Sequence, residues 1–317
     1  MKQQIFFIFL IPFVLSQRLT DEDAEAFRDP IELPIYQEAI KNMFPNYTGD
    51  RRIIGGEIAQ LGQFPYSVVL HMRSGSTWFI CGGALIRFNW VLSAAHCVVG
   101  FNSIQVIVGA VNRIFGPAAF NVTVTEREDM IFHPYFEMRT FMNNIGLIRL
   151  RTATPALLDH PFVGLIRLPN VTDARIDLTG RASNFSGFGS TGLDTEFSEV
   201  LQFITVPVIS NQECSDAIRG SIFAFNLCVS TVGGRSPCHG DSGGALTNEI
   251  DRNRTVVIGI MSFSAIDCSI GVPAVFTRVT SYLAWIESHV NSGYNLRFKT
   301  SLGILMLIPI LMSNFGL

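Results

Sequence analysis

No two cysteines in the sequence stand at CxxC spacing, no apolar run reaches the roughly 20 residues of a bilayer-spanning helix, and basic residues are outnumbered by acidic ones, 23 to 26. The first absence removes the common zinc-ligand pattern, and no metal or cofactor is expected. The second removes a transmembrane helix of ordinary length. The third, with a net charge of −3 and a pI near 6.1, gives no electrostatic reason to expect a nucleic-acid partner. No internal repeat or low-complexity tract is evident.

What is present is apolar. The chain is 48% hydrophobic with a mean hydropathy of +0.33, and part of that excess sits at its two ends. Lys2, an apolar run from Ile5 to Leu15 and the small Ser16 have the layout of a secretory signal peptide over residues 1–16. Five Asn-X-Ser/Thr sequons, at Asn46, Asn121, Asn170, Asn184 and Asn253, agree with an exported, glycosylated chain. Six cysteines, Cys81, Cys97, Cys214, Cys228, Cys238 and Cys268, read as disulfides in such a chain, and spacing alone leaves fifteen pairings open. At the other end, residues 291–317 offer small Asn291-Ser292-Gly293, a short polar spacer and an apolar run broken by Pro309. That order suits a glycosylphosphatidylinositol-anchor signal, with a short span or a tail packed on the domain as alternatives. The expected location is extracellular, with any membrane attachment made through that anchor.

Residues 17–52 are acidic at TDEDAEAF, carry Pro30, Pro34 and Pro45, and read as a propeptide with little core of its own. The segment ends in Arg51-Arg52 before Ile53-Ile-Gly-Gly, which looks like a cleavage boundary. From 53 to 290 the texture changes to short β-like runs, among them YSVVLHM, SIQVIVGAV, NIGLIRL, LQFITVPVI and TVVIGIMSF, separated by Gly, Pro and Asn. This argues an all-β barrel or sandwich. Helical signals are confined to two places. A capping box at Ser210-Asn-Gln-Glu213 opens a short helix toward Arg219, and Tyr282, Trp285, Ile286 and His289 recur at helical spacing.

Two motifs carry chemistry. LSAAHC places His96 beside Cys97, and GDSGGA places Ser242 among glycines. A serine hydroxyl is a weak nucleophile until a neutral imidazole takes its proton, and the developing oxyanion needs backbone N–H donors that bulky neighbours would obstruct.

Together with Ile53-Ile-Gly-Gly, CGGALI, PAVFTRV and the terminal YLAWI, in that order along the chain, these motifs resemble the chymotrypsin/trypsin family of serine proteases. The resemblance implies two packed six-stranded antiparallel β-barrels and a C-terminal helix. It implies Ser242 as nucleophile, His96 as general base and acid, and the N–H groups of Gly240 and Ser242 as oxyanion hole. It also pairs Cys81 with Cys97, Cys214 with Cys228 and Cys238 with Cys268. The remaining histidines, at 71, 133, 160, 239 and 289, read as surface or packing residues.

By the same resemblance, a trypsin-like protease cutting after Arg52 would free the Ile53 amine to pair with Asp241, a buried ion pair that drives the site into shape. No cysteine lies between Ser16 and Cys81 to tether the released segment. The substrate-pocket positions hold Ser236, Ser264 and Ala274. With no carboxylate there, a polypeptide substrate would enter with a neutral, apolar P1 residue.

One position departs from the family. Its third catalytic element is an Asp, and the matching residue here is Asn144, followed by Ile145, Gly146 and Leu147. The nearest acidic residues are Asp129 and Glu137. An amide carries no charge to offset an imidazolium, and it can hold the ring in the wrong tautomer. Gly146, where the family has Ala, is expected to loosen the strand. Asn143 reads as a turn amide. Two functions follow: an endopeptidase of low turnover, or a protease homolog that holds a protein partner as a binding or regulatory module.

Overall fold

Continuous apolar runs and alternating ones mark different places in the sheets. Ser67–Ser74 is buried at six successive residues, as a strand covered on both faces must be, whereas Gln202–Ile209 alternates, with Thr205 and Pro207 turned outward. The computed structural model describes residues 56–291 except 114–119, 152–156, 158–159, 192–195, 252, 266 and 269, together with Phe27, Arg28 and Pro34. The expected signal peptide, Asn46, Arg52, Ile53 and the tail beyond Asn291 lie outside the described residues.

The strands in chain order are β1 (Phe27–Arg28), β2 (Glu57–Ile58), β3 (Ser67–Ser74), β4 (Thr77–Arg87), β5 (Trp90–Ser93), β6 (Ser103–Val108), β7 (Phe120–Val124) and β8 (Met130–Phe132). They continue with β9 (Gly146–Arg149), β10 (Ala182–Gly187), β11 (Gln202–Ile209), β12 (Asn226–Val229), β13 (Ala245–Asp251), β14 (Arg254–Phe263) and β15 (Ala274–Arg278). The first sheet runs β7-β6-β3-β4-β5-β9-β8, with β1 added on β4. The second runs β10-β13-β14-β15-β12-β11-β2, and a β10–β11 ladder closes six of its strands into a barrel. The fold is therefore mostly β, a closed six-stranded barrel beside a curled half-barrel, with a C-terminal helix. Among the described residues the first sheet has no closing ladder, its end strands β7 and β8 each pairing on one side.

The barrel core is formed by Phe185, Leu246, Val256, Ile258, Phe276 and their neighbours. A separate cluster joins Val69, Ile80 and Ile107 of the first sheet to Phe188 and Leu201, so the two sheets share buried apolar surface. Three disulfides, Cys81–Cys97, Cys214–Cys228 and Cys238–Cys268, account for all six cysteines.

The capping box forms the helix α1 (Asn211–Ile218), with Ser210 Oγ accepting the Glu213 N–H at 3.1 Å and Arg219 ending it in the left-handed region at φ 53°. A second unit, from Tyr282 onward, contains the helix α2 (Leu283–Val290). Its buried residues are Leu283, Ile286 and Val290, and of the four residues expected at helical spacing Tyr282 and Ile286 are buried. Trp285 and His289 instead sit half-buried with ring centroids 4.9 Å apart, and His289 Nδ1–H donates to the Trp285 carbonyl at 2.8 Å. Among the described residues no helix is long and apolar enough to cross a membrane.

Candidate active site

Strand register delivers His96 and Asn144 to each other. In the β5–β9 ladder Ser93 lies opposite Gly146, so the chain leaving β5 and the chain entering β9 are adjacent. Two residues beyond Ser93 a 3₁₀ turn, Ala95–Cys97, carries His96, and Asn144 lies two residues before Gly146. The Cys81–Cys97 disulfide ties that turn back to β4. His96 is 1% and Asn144 0% exposed, so every polar atom of the pair depends on protein partners.

The partners of Asn144 fix the orientation of its amide. The backbone N–H of His96 can only donate, and it faces Asn144 Oδ1 at 3.2 Å. The amide NH2 therefore faces Ser262, donating to its Oγ at 2.9 Å, and stands 2.9 Å from His96 Nδ1. Because NH2 only donates, that contact suits the imidazole with a bare Nδ1 and its proton on Nε2. The other tautomer, with Nδ1–H donating, has Oδ1 at 3.1 Å, an oxygen already shared with the His96 backbone. Thr277 Oγ1 donates to the Asn144 carbonyl at 2.8 Å and fixes the backbone of the residue.

Asn143 does something separate. It adopts φ 55°, a left-handed conformation that asparagine tolerates, and its NH2 donates to the Tyr135 carbonyl at 2.7 Å. Gly146 does not loosen the strand. A Cβ there would stand 2.9 Å from Val98 Cγ2 and 3.1 Å from the Ala94 carbonyl oxygen, so the glycine lets β9 pack closely on the turn that carries His96.

Ser242 is 3% exposed and held through its backbone. Gly82 of β4 donates its N–H to the Ser242 carbonyl at 2.7 Å, and Gly243 N–H donates to Met261 O at 2.9 Å. Gly243 has φ 79°, and a Cβ on it would fall 2.2 Å from Ser93 Oγ and 2.6 Å from Gly82 O. The serine loop is thus pressed against the end of β5, three residues from His96. Gly240, at φ 88°, lies against Phe197, whose Cδ1 would be 2.7 Å from a Cβ at that position. Arg113 fastens the loop carrying Phe197, donating from Nε to Ser198 O at 2.9 Å and from Nη2 to Phe197 O at 3.0 Å.

The buried Asp241 carboxylate accepts the Gly189 N–H at 2.8 Å and the Cys238 N–H at 2.9 Å. It lines a cleft with Gly56, Gly187, Gly189, Gln202 and Ser236. Ser236 is buried and donates to Pro237 O at 2.9 Å, Ala274 is fully buried, and Ser264 is half-buried with its Oγ 3.4 Å from Ala265 O. Neither Ser264 nor Ala274 lines that cleft. Among the described residues, the two places where three His, Cys or acidic ligand atoms converge each contain a disulfide, whose sulfurs offer no thiolate. Of the four sequons described, Asn121, Asn170, Asn184 and Asn253 are all exposed.

Sequence reasoning missed two contributors to the site. Ser262, two residues before the pocket position Ser264, contacts the Asn144 amide. Phe141 was not singled out at all. It is 1% exposed at φ 53°, with its ring perpendicular to the His96 ring at 5.7 Å and tilted against Phe263 at 5.5 Å. The sequence signal for Ser262 was its place at the end of an apolar strand, and Phe141 in the loop FMNN offered no periodicity.

The two-sheet fold and the residues gathered at its centre define a chymotrypsin-like serine protease domain. Residues 53–286 match the family model described as Trypsin, and the chain belongs to that family. It is 36% identical over 266 residues to "Chymotrypsin" of Phaedon cochleariae, covering 82% of this chain and 91% of the relative. It is likewise 36% identical over 244 residues to "Serine protease 1" of Drosophila melanogaster, covering 77% and 87%. The solved structure of HL collagenase superposes with a TM-score of 0.64 at 32% identity, covering 75% of this chain and 99% of that one.

Proposed function

We propose that the protein is a secreted serine endopeptidase, made as a zymogen cut after Arg52, that prefers neutral, apolar P1 residues and turns over slowly because Asn144 stands where the family has Asp. The observation that carries this reading is the buried His96–Asn144–Ser262 network beside the Ser242 loop.

In the proposed cycle Ser242 Oγ attacks the scissile carbonyl, Nε2 of His96 takes its proton, and the N–H groups of Gly240 and Ser242 receive the oxyanion. Asn144 opposes the second step. With its NH2 toward Nδ1 the proton already sits on Nε2, and that nitrogen cannot act as base. Reaction requires the minor tautomer, and the imidazolium that forms then meets an amide oxygen without a charge. A triad with Asn in this place loses about 10⁴-fold in kcat, or ~5.4 kcal/mol of barrier.

The zymogen reading draws support from the cleft at Asp241. Gly187 and Gly189 are among the residues that line it beside Asp241, Gly56 lines it too, and the chain reaches Gly56 from the expected new terminus at Ile53. An ammonium placed there would meet a buried carboxylate, which stabilises the ordered loop. Secretion is supported by three disulfides and by the relatives' being proteases of this family. The absence of an acid at Ser236 implies that the protein does not cut its own Arg52 site. Retention as a binding module is the second reading, and the satisfied, uncharged amide at Asn144 is what favours it.

The test is hydrolysis of Phe and Leu P1 esters and amides after tryptic cleavage, with labelling by an active-serine reagent. Slow hydrolysis and labelling, both lost in Ser242→Ala, support the protease. Neither signal in correctly cleaved protein supports the module.

A further inference from the structure

The loop residues beside the expected oxyanion donor are fastened by one side chain from the stretch that follows β6. That stretch pairs with the chain entering β11: Arg113 N–H donates to Glu199 O and Leu201 N–H to Val111 O, each at 2.8 Å, with Asn112 opposite Val200. The backbone pairing reaches Glu199. The Arg113 guanidinium carries the hold two residues further, since Nε donates to Ser198 O at 2.9 Å and Nη2 to Phe197 O at 3.0 Å. Carbonyls on successive residues suit the fixed fork of a guanidinium better than the point charge of an ammonium. Glu199 and Glu196, exposed on the same segment, favour the positive charge that burial opposes.

What Arg113 holds bears on Gly240 in two ways. Phe197 lies opposite Ser190 in an antiparallel bridge, Ser198 N–H donates to Gly189 O at 3.2 Å, and Ser190 N–H donates to His239 O at 2.7 Å. The His239 carbonyl and the Gly240 N–H belong to one peptide plane and point in opposite directions. A hydrogen bond that fixes the carbonyl toward Ser190 therefore fixes the direction of the Gly240 N–H. The second way is contact: the Phe197 ring packs where a Cβ on Gly240 would stand, 2.7 Å from its Cδ1. Phe197 is half-buried against the cluster that contains Val69, Ile80, Ile107 and Phe188, so the ring is backed by packed side chains.

We propose that Arg113 is a positioning residue for the reaction: by holding the Phe197 and Ser198 carbonyls it keeps Ser190 on the His239 carbonyl, and so keeps the Gly240 N–H aimed at the oxyanion. The proposal rests on reading Ser242 as the nucleophile and Gly240 as an oxyanion donor. A donor whose direction is set beforehand costs no reorganisation when charge develops on the substrate oxygen. Loss of the clamp therefore acts on the transition state and leaves ground-state binding in place.

The test compares the Arg52-cleaved parent with Arg113→Ala and with Arg113→Lys, which keeps the charge, loses the fork and serves should the first variant fail to fold. On a Phe P1 amide, Arg113→Ala should lower kcat roughly tenfold, part of the 10²–10³ lost when an oxyanion donor is removed outright, with KM within about twofold. Arg113→Lys should show the same split at about threefold, because one ammonium does not replace the fork. Hydrogen exchange at the Ser190 amide should quicken about fivefold in Arg113→Ala, the weight of one hydrogen bond. A merely structural role would lower the unfolding midpoint without separating kcat from KM. Parental kcat in either variant, or unchanged exchange at Ser190, overturns the proposal. Exchange needs no turnover, so the two readings fail separately. A parent with neither hydrolysis nor active-serine labelling refutes the protease reading, while quickened or unchanged Ser190 exchange still supports or overturns the clamp.

Discussion

Asn144→Asp exchanges one amide nitrogen for oxygen without changing the shape of a fully buried side chain. The new carboxylate meets three groups already in place. The His96 N–H donates to one oxygen at 3.2 Å, and the other oxygen replaces a nitrogen lying 2.9 Å from both His96 Nδ1 and Ser262 Oγ. Ser262 turns its hydroxyl from acceptor to donor, and Nδ1 gains a proton. Three donors offset the desolvation of the anion, so the fold is retained. The imidazole then presents a bare Nε2 to the serine, and the imidazolium formed on reaction has a counter-charge. The expected gain in kcat is up to about 10⁴-fold, or ~5.4 kcal/mol, with KM little changed because the interaction strengthens only in the transition state. Initial rates on a Phe P1 amide after tryptic activation measure it. The pH at which kcat/KM rises should also move upward in the Asp variant, since a carboxylate favours the charged imidazole. A kcat within about threefold of the parent, a small fraction of the 10⁴ expected, would refute the reasoning.

Three further outcomes follow from the same structure. Gly146→Ala inserts a Cβ against Val98 and the Ala94 carbonyl and should cost ~1–3 kcal/mol by denaturant unfolding, contrary to what its family-typical identity suggests. His71 is buried in β3 beside Gln105, and burial, aided by the charge of Arg113, pushes its pKa down to about 4 from the usual 6.5. The unfolded chain therefore binds the extra proton first, and stability falls as pH drops from 6.5 toward 4, by up to ~3 kcal/mol, a slope that His71→Gln should flatten. Ser236→Asp should move preference from Phe or Leu to Lys or Arg at P1 and let the protein cut its own Arg52 site, read as self-processing during expression.

How much was legible in advance depended on the kind of interaction. The runs SIQVIV, LQFITVPVI and TVVIGIMSF became β6, β11 and β14 because each carries its own apolar pattern. The glycines of CGGA and GDSGG signalled the serine loop, and the structure adds their reason: Gly82 and Gly243 touch where β4 meets that loop. On α2 the periodicity placed Tyr282 and Ile286 among the buried residues, while Trp285 and His289, an i,i+4 pair, contact each other half-buried. The β1 docking was illegible, since a two-residue strand in an acidic, proline-bearing segment has no pattern of its own. Asn144 was visible by its place in a motif, while the direction of its amide was not. That direction depends on the His96 backbone and on Ser262, which lies 118 residues away in sequence.

The claim on which the rest depends is that Asn144 holds the proton of His96 on Nε2. ¹⁵N NMR of the imidazole in the Arg52-cleaved protein, at a pH where the ring is neutral, reads this directly. The account predicts a protonated, pyrrole-type Nε2 and a bare, pyridine-type Nδ1. A protonated Nδ1 with a bare Nε2 would contradict it.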